Sequence, residues 1–222
     1  MNSINILGYG ENVLSMVMET LKANGYTGAV TIMQNIELEN KIPYMPTGME
    51  VRVVVKPGEE DFAEPAVFLF GVAKPGIKQI VYRFFNDHHQ VDTSRYANLF
   101  HPSSVMASSV SVMGGCYIEP LSVVSPFSTI GFGVTINRKV SIGHHVSIGN
   151  YVTINPGADI GGSVQIGDAT TIGMGATIFD KLTIGKNTVI GGGSVVTRDI
   201  PDNVIAWGNP CKVMKENSLH AG

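Results

Sequence analysis

Two adjacent histidines, His144 and His145, are the residues of this chain whose type and setting best suit proton-transfer chemistry. Asn137 stands seven residues before His144, in a stretch otherwise rich in Val, Ile and Gly. A neutral imidazole near pH 7 is a suitable acceptor for the proton of a reacting amine or hydroxyl group. The pair therefore indicates a general base. The alternative is a solvated surface histidine without a chemical role.

The stretch that holds these residues repeats with a period of six. From Val112 to Val196 every sixth residue is Val or Ile, fifteen times in succession. A helix repeats every 3.6 residues and a strand every 2, so neither explains the spacing. A strict six is typical of a hexapeptide β-helix, in which three short strands and their turns close one coil. The run predicts five coils of eighteen residues without an inserted loop.

The period also assigns side chains to the inside and the outside of the coils. Val and Ile point inward and stack on their counterparts one coil away, which suits β-branched side chains. His144 follows the inward Ile142 by two residues, so we expect it on an outer turn, in one column with Gly162 and Asp180. A second column holds Pro156, Met174 and Gly192.

The chain before the repeats has the pattern of a small α/β unit. Helical apolar spacing covers residues 12–23 and 76–85, and a glycine turn precedes the first of these helices. Strands are predicted at residues 3–7, 28–33, 50–55 and 66–72. The polar segment 86–95 is interpreted as a linker. The sequence thus predicts two domains, an α/β domain over 1–95 and a β-helix with a C-terminal cap over 96–222.

Composition narrows the class of protein. The chain has 222 residues, of which only 15% are charged, and a net charge of −3, which does not suggest a nucleic-acid surface. Cys116 and Cys211 give neither a disulfide framework nor zinc-ligand spacing. No apolar run approaches the length of a membrane span and the start lacks a secretion signal, so the expected location is cytoplasmic.

A small α/β domain, an unbroken hexapeptide run and the exit motif from Gly208 to Lys212 together resemble one family. It is the bacterial hexapeptide-repeat sugar acetyltransferases, which contain UDP-4-amino-sugar N-acetyltransferases and sialic-acid O-acetyltransferase-like proteins. The resemblance implies a left-handed parallel β-helix with an N-terminal small Rossmann-like α/β domain. It also implies a homotrimer with acetyl-CoA bound between neighbouring prisms. The left hand depends on the resemblance, because the general rule for crossovers is right-handed.

The resemblance further implies roles for particular residues. Asn137 and His144 match the family's catalytic pattern, with His144 as general base for direct attack on the thioester and without an acyl-enzyme. Backbone amides at Gly162 and Gly192 are expected to meet acetyl-CoA. The other residues expected to bind the cofactor are Thr153, Met174 and Lys212. The residues expected to bind a nucleotide sugar are those of the glycine turn, Gly8, Tyr9, Gly10 and Asn12.

Three positions depart from the family's pattern. His145 stands where an acidic residue usually orients the catalytic histidine, Thr153 stands where a histidine is common, and Asn12 replaces a histidine of the glycine turn. For His145, three alternatives are open: it accepts a hydrogen bond from His144, a carboxylate comes from elsewhere, or activity is weak.

The leading functional hypothesis is an acetyl-CoA-dependent acetyltransferase acting on the amino or hydroxyl group of a nucleotide-activated sugar in surface-glycan biosynthesis. A non-catalytic trimeric binding or scaffold protein is the alternative, and the three departures favour it. Zinc hydration chemistry would need three converging histidines, whereas the repeat run has only His144 and His145, so no metal is expected.

Overall fold

The computed structural model describes residues 4–36, 48–62 and 66–218. The first domain is a four-stranded parallel sheet in the order β3-β2-β1-β4 with two helices. Its strands are Ile4–Leu7 (β1), Ala29–Gln34 (β2), Glu50–Val55 (β3) and Val67–Phe70 (β4). Its helices are Glu11–Ala23 (α1) and Pro75–His89 (α2), and two 3₁₀ turns cover Glu59–Phe62 and Thr93–Arg95. The predicted α/β pattern is confirmed in the described residues.

Helix α2 is longer than the sequence suggested. The polar residues 86–89, interpreted as part of a linker, form its last turn, so that interpretation is wrong for this stretch. The turn is polar because it lies at the domain surface, but His89 stacks on Phe62 with ring centroids 4.1 Å apart. Gln90 then ends the helix in the left-handed conformation.

The second domain is a prism with three faces of parallel two-residue strands. Each of the fifteen repeat positions is the second residue of one such strand, and each strand pairs with the strand eighteen residues away. Two further strands precede the run. In chain order the strands are Leu99–Phe100 (β5), Val105–Met106 (β6), Ser111–Val112 (β7), Tyr117–Ile118 (β8), Val123–Val124 (β9), Thr129–Ile130 (β10), Thr135–Ile136 (β11), Ser141–Ile142 (β12), Ser147–Ile148 (β13), Thr153–Ile154 (β14), Asp159–Ile160 (β15), Gln165–Ile166 (β16), Thr171–Ile172 (β17), Thr177–Ile178 (β18), Thr183–Ile184 (β19), Val189–Ile190 (β20) and Val195–Val196 (β21).

The prism core and its closure follow the predicted pattern. The aliphatic residues of the repeat fill the interior as one continuous cluster. At the C-terminal end, Val204–Gly208 (β22) pairs with β20, and Cys211–Glu216 (β23) returns antiparallel to β22. This hairpin covers the open end of one face, as expected of the Pro-containing tail.

The α/β domain packs on the face formed by β5, β8, β11 and β14. Thr153 Oγ1 donates to Ala73 O at 2.8 Å, and Tyr117 Oη donates to Met16 O at 3.0 Å. The fully buried Lys78 of α2 donates to Gly133 O at 2.6 Å. In the part of the chain that the structure describes, no helix has the length and apolar character needed to cross a bilayer.

Candidate active site

His144 and His145 form an exposed corner of the prism between β12 and β13. The corner is held by the coils on either side of it. His145 N donates to Pro126 O at 3.0 Å, and His144 O accepts from Ser163 N at 2.8 Å. His145 has φ of 58°, the left-handed conformation that turns the chain there. The outer-turn position predicted for His144 is therefore observed.

The two imidazole rings are in contact. His144 Nδ1 lies 3.0 Å from His145 Nδ1, and the ring planes are nearly perpendicular at 87°. The His145 ring also packs against Phe127, with centroids 5.1 Å apart. One Nδ1 must donate and the other accept. If His144 donates Nδ1–H, its Nε2 keeps a lone pair for an incoming proton. Of the three alternatives for His145, the geometry supports direct contact with His144.

We expect His145→Ala to slow the reaction about tenfold, because loss of one orienting hydrogen bond of about 1–1.5 kcal/mol releases the His144 ring. His145→Asp is the matched variant: Asp tolerates the left-handed conformation and accepts the same hydrogen bond. Its turnover should equal or exceed that of the unchanged protein. Steady-state rates over a range of pH check both variants. An alanine variant with an unchanged rate and pH profile would contradict a role for His145.

Gly162 lies directly beneath the His144 ring. A Cβ placed on Gly162 would lie 2.9 Å from His144 Cε1 and Nε2, so only glycine leaves room for the ring. The Gly162 amide donates to Asp180 Oδ1 at 2.8 Å. The predicted column of His144, Gly162 and Asp180 is therefore present. Contact between this amide and acetyl-CoA stays a prediction, and it requires Asp180 to give up its hydrogen bond.

We expect Gly162→Ala to lower kcat while leaving the melting temperature nearly unchanged. The added methyl group meets the end of a side chain that can move, so the fold survives but His144 Nε2 is displaced. A misplaced catalytic group of this kind costs about a hundredfold. Ala is also compatible with this backbone, because Gly162 does not have a positive φ.

Gly161→Ala is unsuitable as a control because the added Cβ would clash with Asp180. Gly157→Ala is unsuitable because Gly157 has a positive φ. Gln165→Ala, at an exposed strand position of the prism, is the better control. Retained kcat in Gly162→Ala would contradict the placement.

Asn137 and Thr153, two further predicted site residues, lie inside the fold. The Asn137 side chain is buried and donates from Nδ2 to Ile154 O at 2.9 Å. Asn155 makes the same contact with Ile172 O one coil later, so this hydrogen bond belongs to coil stacking. Thr153 is buried at the domain contact with Ala73. Neither side chain lies on the corner of His144.

The other predicted cofactor ligands lie on different parts of the prism surface. Met174 is 61% exposed and stacks in the predicted column with Gly192, which is also exposed. Their corner lies between β17 and β18, on another edge of the prism from His144. Lys212 is exposed on β23. One chain therefore does not bring these residues together with His144.

The glycine turn joins β1 to α1 and is shaped by packing. Gly8 has φ of +84°, and a Cβ there would lie 3.1 Å from Val72 and Val81. Gly10 is the N-cap of α1. Burial, with a smaller effect of Glu11, raises the pKa of Tyr9. Asn12 is exposed at the start of the helix. The turn thus presents a helix N-terminus to solvent, and its glycines are explained without a ligand.

Both cysteines are poor nucleophiles. They are unpaired and buried, and burial raises the pKa of the Cys116 thiol to about 11 and also raises the pKa of Cys211. A buried thiol with a raised pKa holds little thiolate near neutral pH. This agrees with transfer without an acyl-enzyme. Within 4–36, 48–62 and 66–218 no three His, Cys, Asp or Glu side chains converge as metal ligands.

One protein-family description and several solved structures are similar to this chain. The repeat description "Bacterial transferase hexapeptide (six repeats)" matches residues 145–180. No curated protein matches the chain. A mutant of perosamine N-acetyltransferase from Caulobacter crescentus, solved with CoA and GDP-perosamine, is 25% identical with a TM-score of 0.79, over 97% of this chain and 98% of that chain.

Two other solved structures share the fold over nearly their full length. The acetyltransferase domain of PglB from Neisseria gonorrhoeae, solved with acetyl coenzyme A, is 23% identical with a TM-score of 0.80, over 96% of this chain and 100% of that chain. WeeI from Acinetobacter baumannii is 21% identical with a TM-score of 0.69, over 96% and 100%. The repeat match and the full-length similarity to perosamine N-acetyltransferase support the predicted resemblance to hexapeptide-repeat sugar acetyltransferases, and the PglB domain and WeeI share the fold.

Proposed function

We propose that this protein transfers an acetyl group from acetyl-CoA to the amino or hydroxyl group of a nucleotide-activated sugar. The observation that carries the proposal is the His144 corner, where an exposed imidazole lies over Gly162 with its Nδ1 held by His145. The similar structure from Caulobacter crescentus holds CoA and GDP-perosamine, which supports both substrate classes. A role in surface-glycan biosynthesis and a cytoplasmic location belong to the same proposal.

In the proposed reaction His144 acts as a general base. The acceptor nitrogen or oxygen attacks the acetyl carbonyl carbon, and its proton passes to Nε2 of His144. The carbonyl re-forms as the carbon–sulfur bond breaks, and the CoA thiolate takes the proton back from the imidazolium. Such proton transfer contributes about 10²–10⁴-fold to a rate. No covalent enzyme intermediate is needed, in keeping with the buried cysteines.

The separation of the predicted ligands favours a site between subunits. Met174 and Gly192 lie on one edge of the prism and His144 on another, so a cofactor that meets both sets needs a neighbouring prism. A left-handed homotrimer, which the resemblance implies, supplies such a groove. Sedimentation velocity of the unchanged protein checks the assembly. A monomer at assay concentrations would count against an intersubunit site.

An acetyl-CoA assay over a panel of amino-sugar nucleotides tests the function. Release of free CoA that depends on one or more acceptors is the expected result. Calorimetry with CoA alone measures cofactor binding independently of the acceptor. Absence of turnover with every acceptor, together with absence of CoA binding, would favour the non-catalytic scaffold.

A further inference from the structure

A pocket of about 480 Å³ lies between helix α1 and the prism, away from the His144 corner. One wall is helical and the other is formed by a different prism corner. The residues that matter for its chemistry are Met16, His101, Tyr117, Glu119, Pro120 and Arg138. None of them belongs to the glycine turn or to the predicted catalytic set. One feature of the sequence points to this site. Glu119 stands eighteen residues before Asn137, so a carboxylate occupies the position one coil before a buried asparagine.

The pocket contains a buried carboxylate with one oxygen unused. Glu119 is 2% exposed. Its Oε2 accepts from the Arg138 amide at 3.0 Å and lies 3.5 Å from Arg138 Nη1. Its Oε1 is buried and has no hydrogen-bond partner among the residues that the structure describes. A buried carboxylate oxygen without a hydrogen bond lowers the stability of the fold. A ligand that donates a hydrogen bond to Oε1 would remove this cost, and the recovered free energy would favour binding.

Hydrogen-bond donors stand beside this acceptor. His101 Nδ1 accepts from the Ser103 amide at 3.1 Å, so the proton of the neutral ring is on Nε2. The side chain of Arg138 is 52% exposed and has guanidinium N–H groups in reach of the pocket. The pocket therefore offers an acceptor and donors together, which matches a hydroxyl group better than a simple cation or anion.

The remaining wall is apolar and rigid. Tyr117 is held by its hydroxyl, which donates to Met16 O at 3.0 Å and lies 2.9 Å from Thr20 Oγ1. Met16 and Pro120 complete the surface. An aromatic and aliphatic wall beside paired polar groups suits a sugar ring, which presents carbon–hydrogen faces and hydroxyl edges.

We propose that this pocket seats the sugar ring of the acceptor, with Glu119 Oε1 accepting from a ring hydroxyl and Arg138 and His101 donating to the ring's oxygens. This inference rests on the nucleotide-sugar acceptor of the proposed function. The helical wall of the pocket belongs to α1, which begins directly after Gly10 of the glycine turn that is expected to bind the nucleotide. The pocket and His144 lie at opposite edges of one prism face, so the reacting group meets the histidine corner of a neighbouring copy.

Isothermal titration calorimetry of the full chain tests whether this pocket binds the sugar ring. Two pairs of ligands are compared for affinity: GDP-perosamine with GDP, and a UDP-4-amino sugar with UDP. Glu119→Gln keeps an oxygen for the Arg138 amide but turns an NH₂ group towards the ligand. We expect it to weaken nucleotide-sugar binding about tenfold, the effect of losing one hydrogen bond to a charged group. Binding of the bare nucleotide and of CoA should stay unchanged.

Two further variants keep the result interpretable. Arg138→Gln removes a half-exposed guanidinium group but keeps the backbone amide that donates to Glu119 Oε2, and it should show the same selective loss. Asp168→Asn is the control, because Asp168 also accepts a backbone amide, that of Asn150 at 2.7 Å, but at a corner outside the pocket. It should bind both probe pairs as the unchanged protein does.

The outcomes distinguish the sugar-binding pocket from the proposed function. If both pocket variants bind the nucleotide sugar normally, or lose affinity equally for the nucleotide sugar and the bare nucleotide, the pocket does not bind the sugar ring, and the acetyl-transfer proposal is unaffected. If the unchanged protein binds neither nucleotide sugar, both the sugar-binding pocket and the nucleotide-sugar acceptor are wrong. Retained CoA binding would then still support an acyltransferase.

Discussion

Replacing His144 with alanine is expected to lower kcat about 10²–10⁴-fold, the contribution of a positioned general base. The side chain is exposed and forms a hydrogen bond with another exposed histidine, so the fold should not change. Acetyl-CoA affinity should remain, because the imidazole acts on the acceptor's proton. Initial rates at saturating substrates, with calorimetry for CoA, measure the two effects separately.

His88→Ala is the matched control for this prediction. His88 is also an exposed histidine, at the end of α2, and its ring contacts are with Phe84 and His89. Its replacement should leave kcat unchanged. A His144 variant that turns over as fast as the His88 variant would contradict the general-base role, whatever the fate of the acceptor proposal.

Lys78→Met is expected to remove a strong pH dependence of the free energy of unfolding. Lys78 is fully buried between α2 and the prism, where Nζ donates to Gly133 O and, at 2.5 Å, to Thr135 Oγ1. Burial lowers its pKa to about 7, and the neighbouring Cys116 thiol opposes this only in part. No carboxylate contacts the ammonium among the described residues, so the charge is compensated by these dipoles and by the Phe70 ring, whose centroid is 5.7 Å from Nζ.

The sign of the effect follows from the direction of the shift. The pKa in the folded protein lies below that of an unfolded lysine, about 10.4. Between these values the unfolded chain binds more protons, so stability rises with pH; the penalty is fully present below pH 7 and disappears above the unfolded value. From pH 7 to pH 9.5 the unchanged protein should gain about 3 kcal/mol relative to Lys78→Met.

Urea unfolding at the two pH values measures this difference, and the comparison between variants cancels the titration of other groups. Lys74→Met, which replaces an exposed lysine before the same helix, is the control and should show no such change. A constant difference between the unchanged protein and Lys78→Met at both pH values would contradict a lysine that is neutralised by burial.

The prism could be predicted almost completely because its information is local and periodic. Every coil contacts only the next one at a fixed separation of eighteen residues, so one inward residue such as Ile154 determines which neighbours it stacks on. The same separation of eighteen residues predicts from the sequence alone that His144 lies above Gly162. The helix end at His89 was missed because a polar surface turn has the same composition as a linker.

The sequence by itself determined the coil architecture, the column of His144 and the boundary pattern of an α/β domain. Only the tertiary structure decided that His145 contacts His144, that Thr153 is used between the domains, and that Lys78 and Glu119 are buried at contacts with the prism. The physical reason is that docking of the α/β domain on the prism has no period. Lys78 and Gly133 are 55 residues apart, and a ring's orientation depends on side-chain torsions that spacing does not encode.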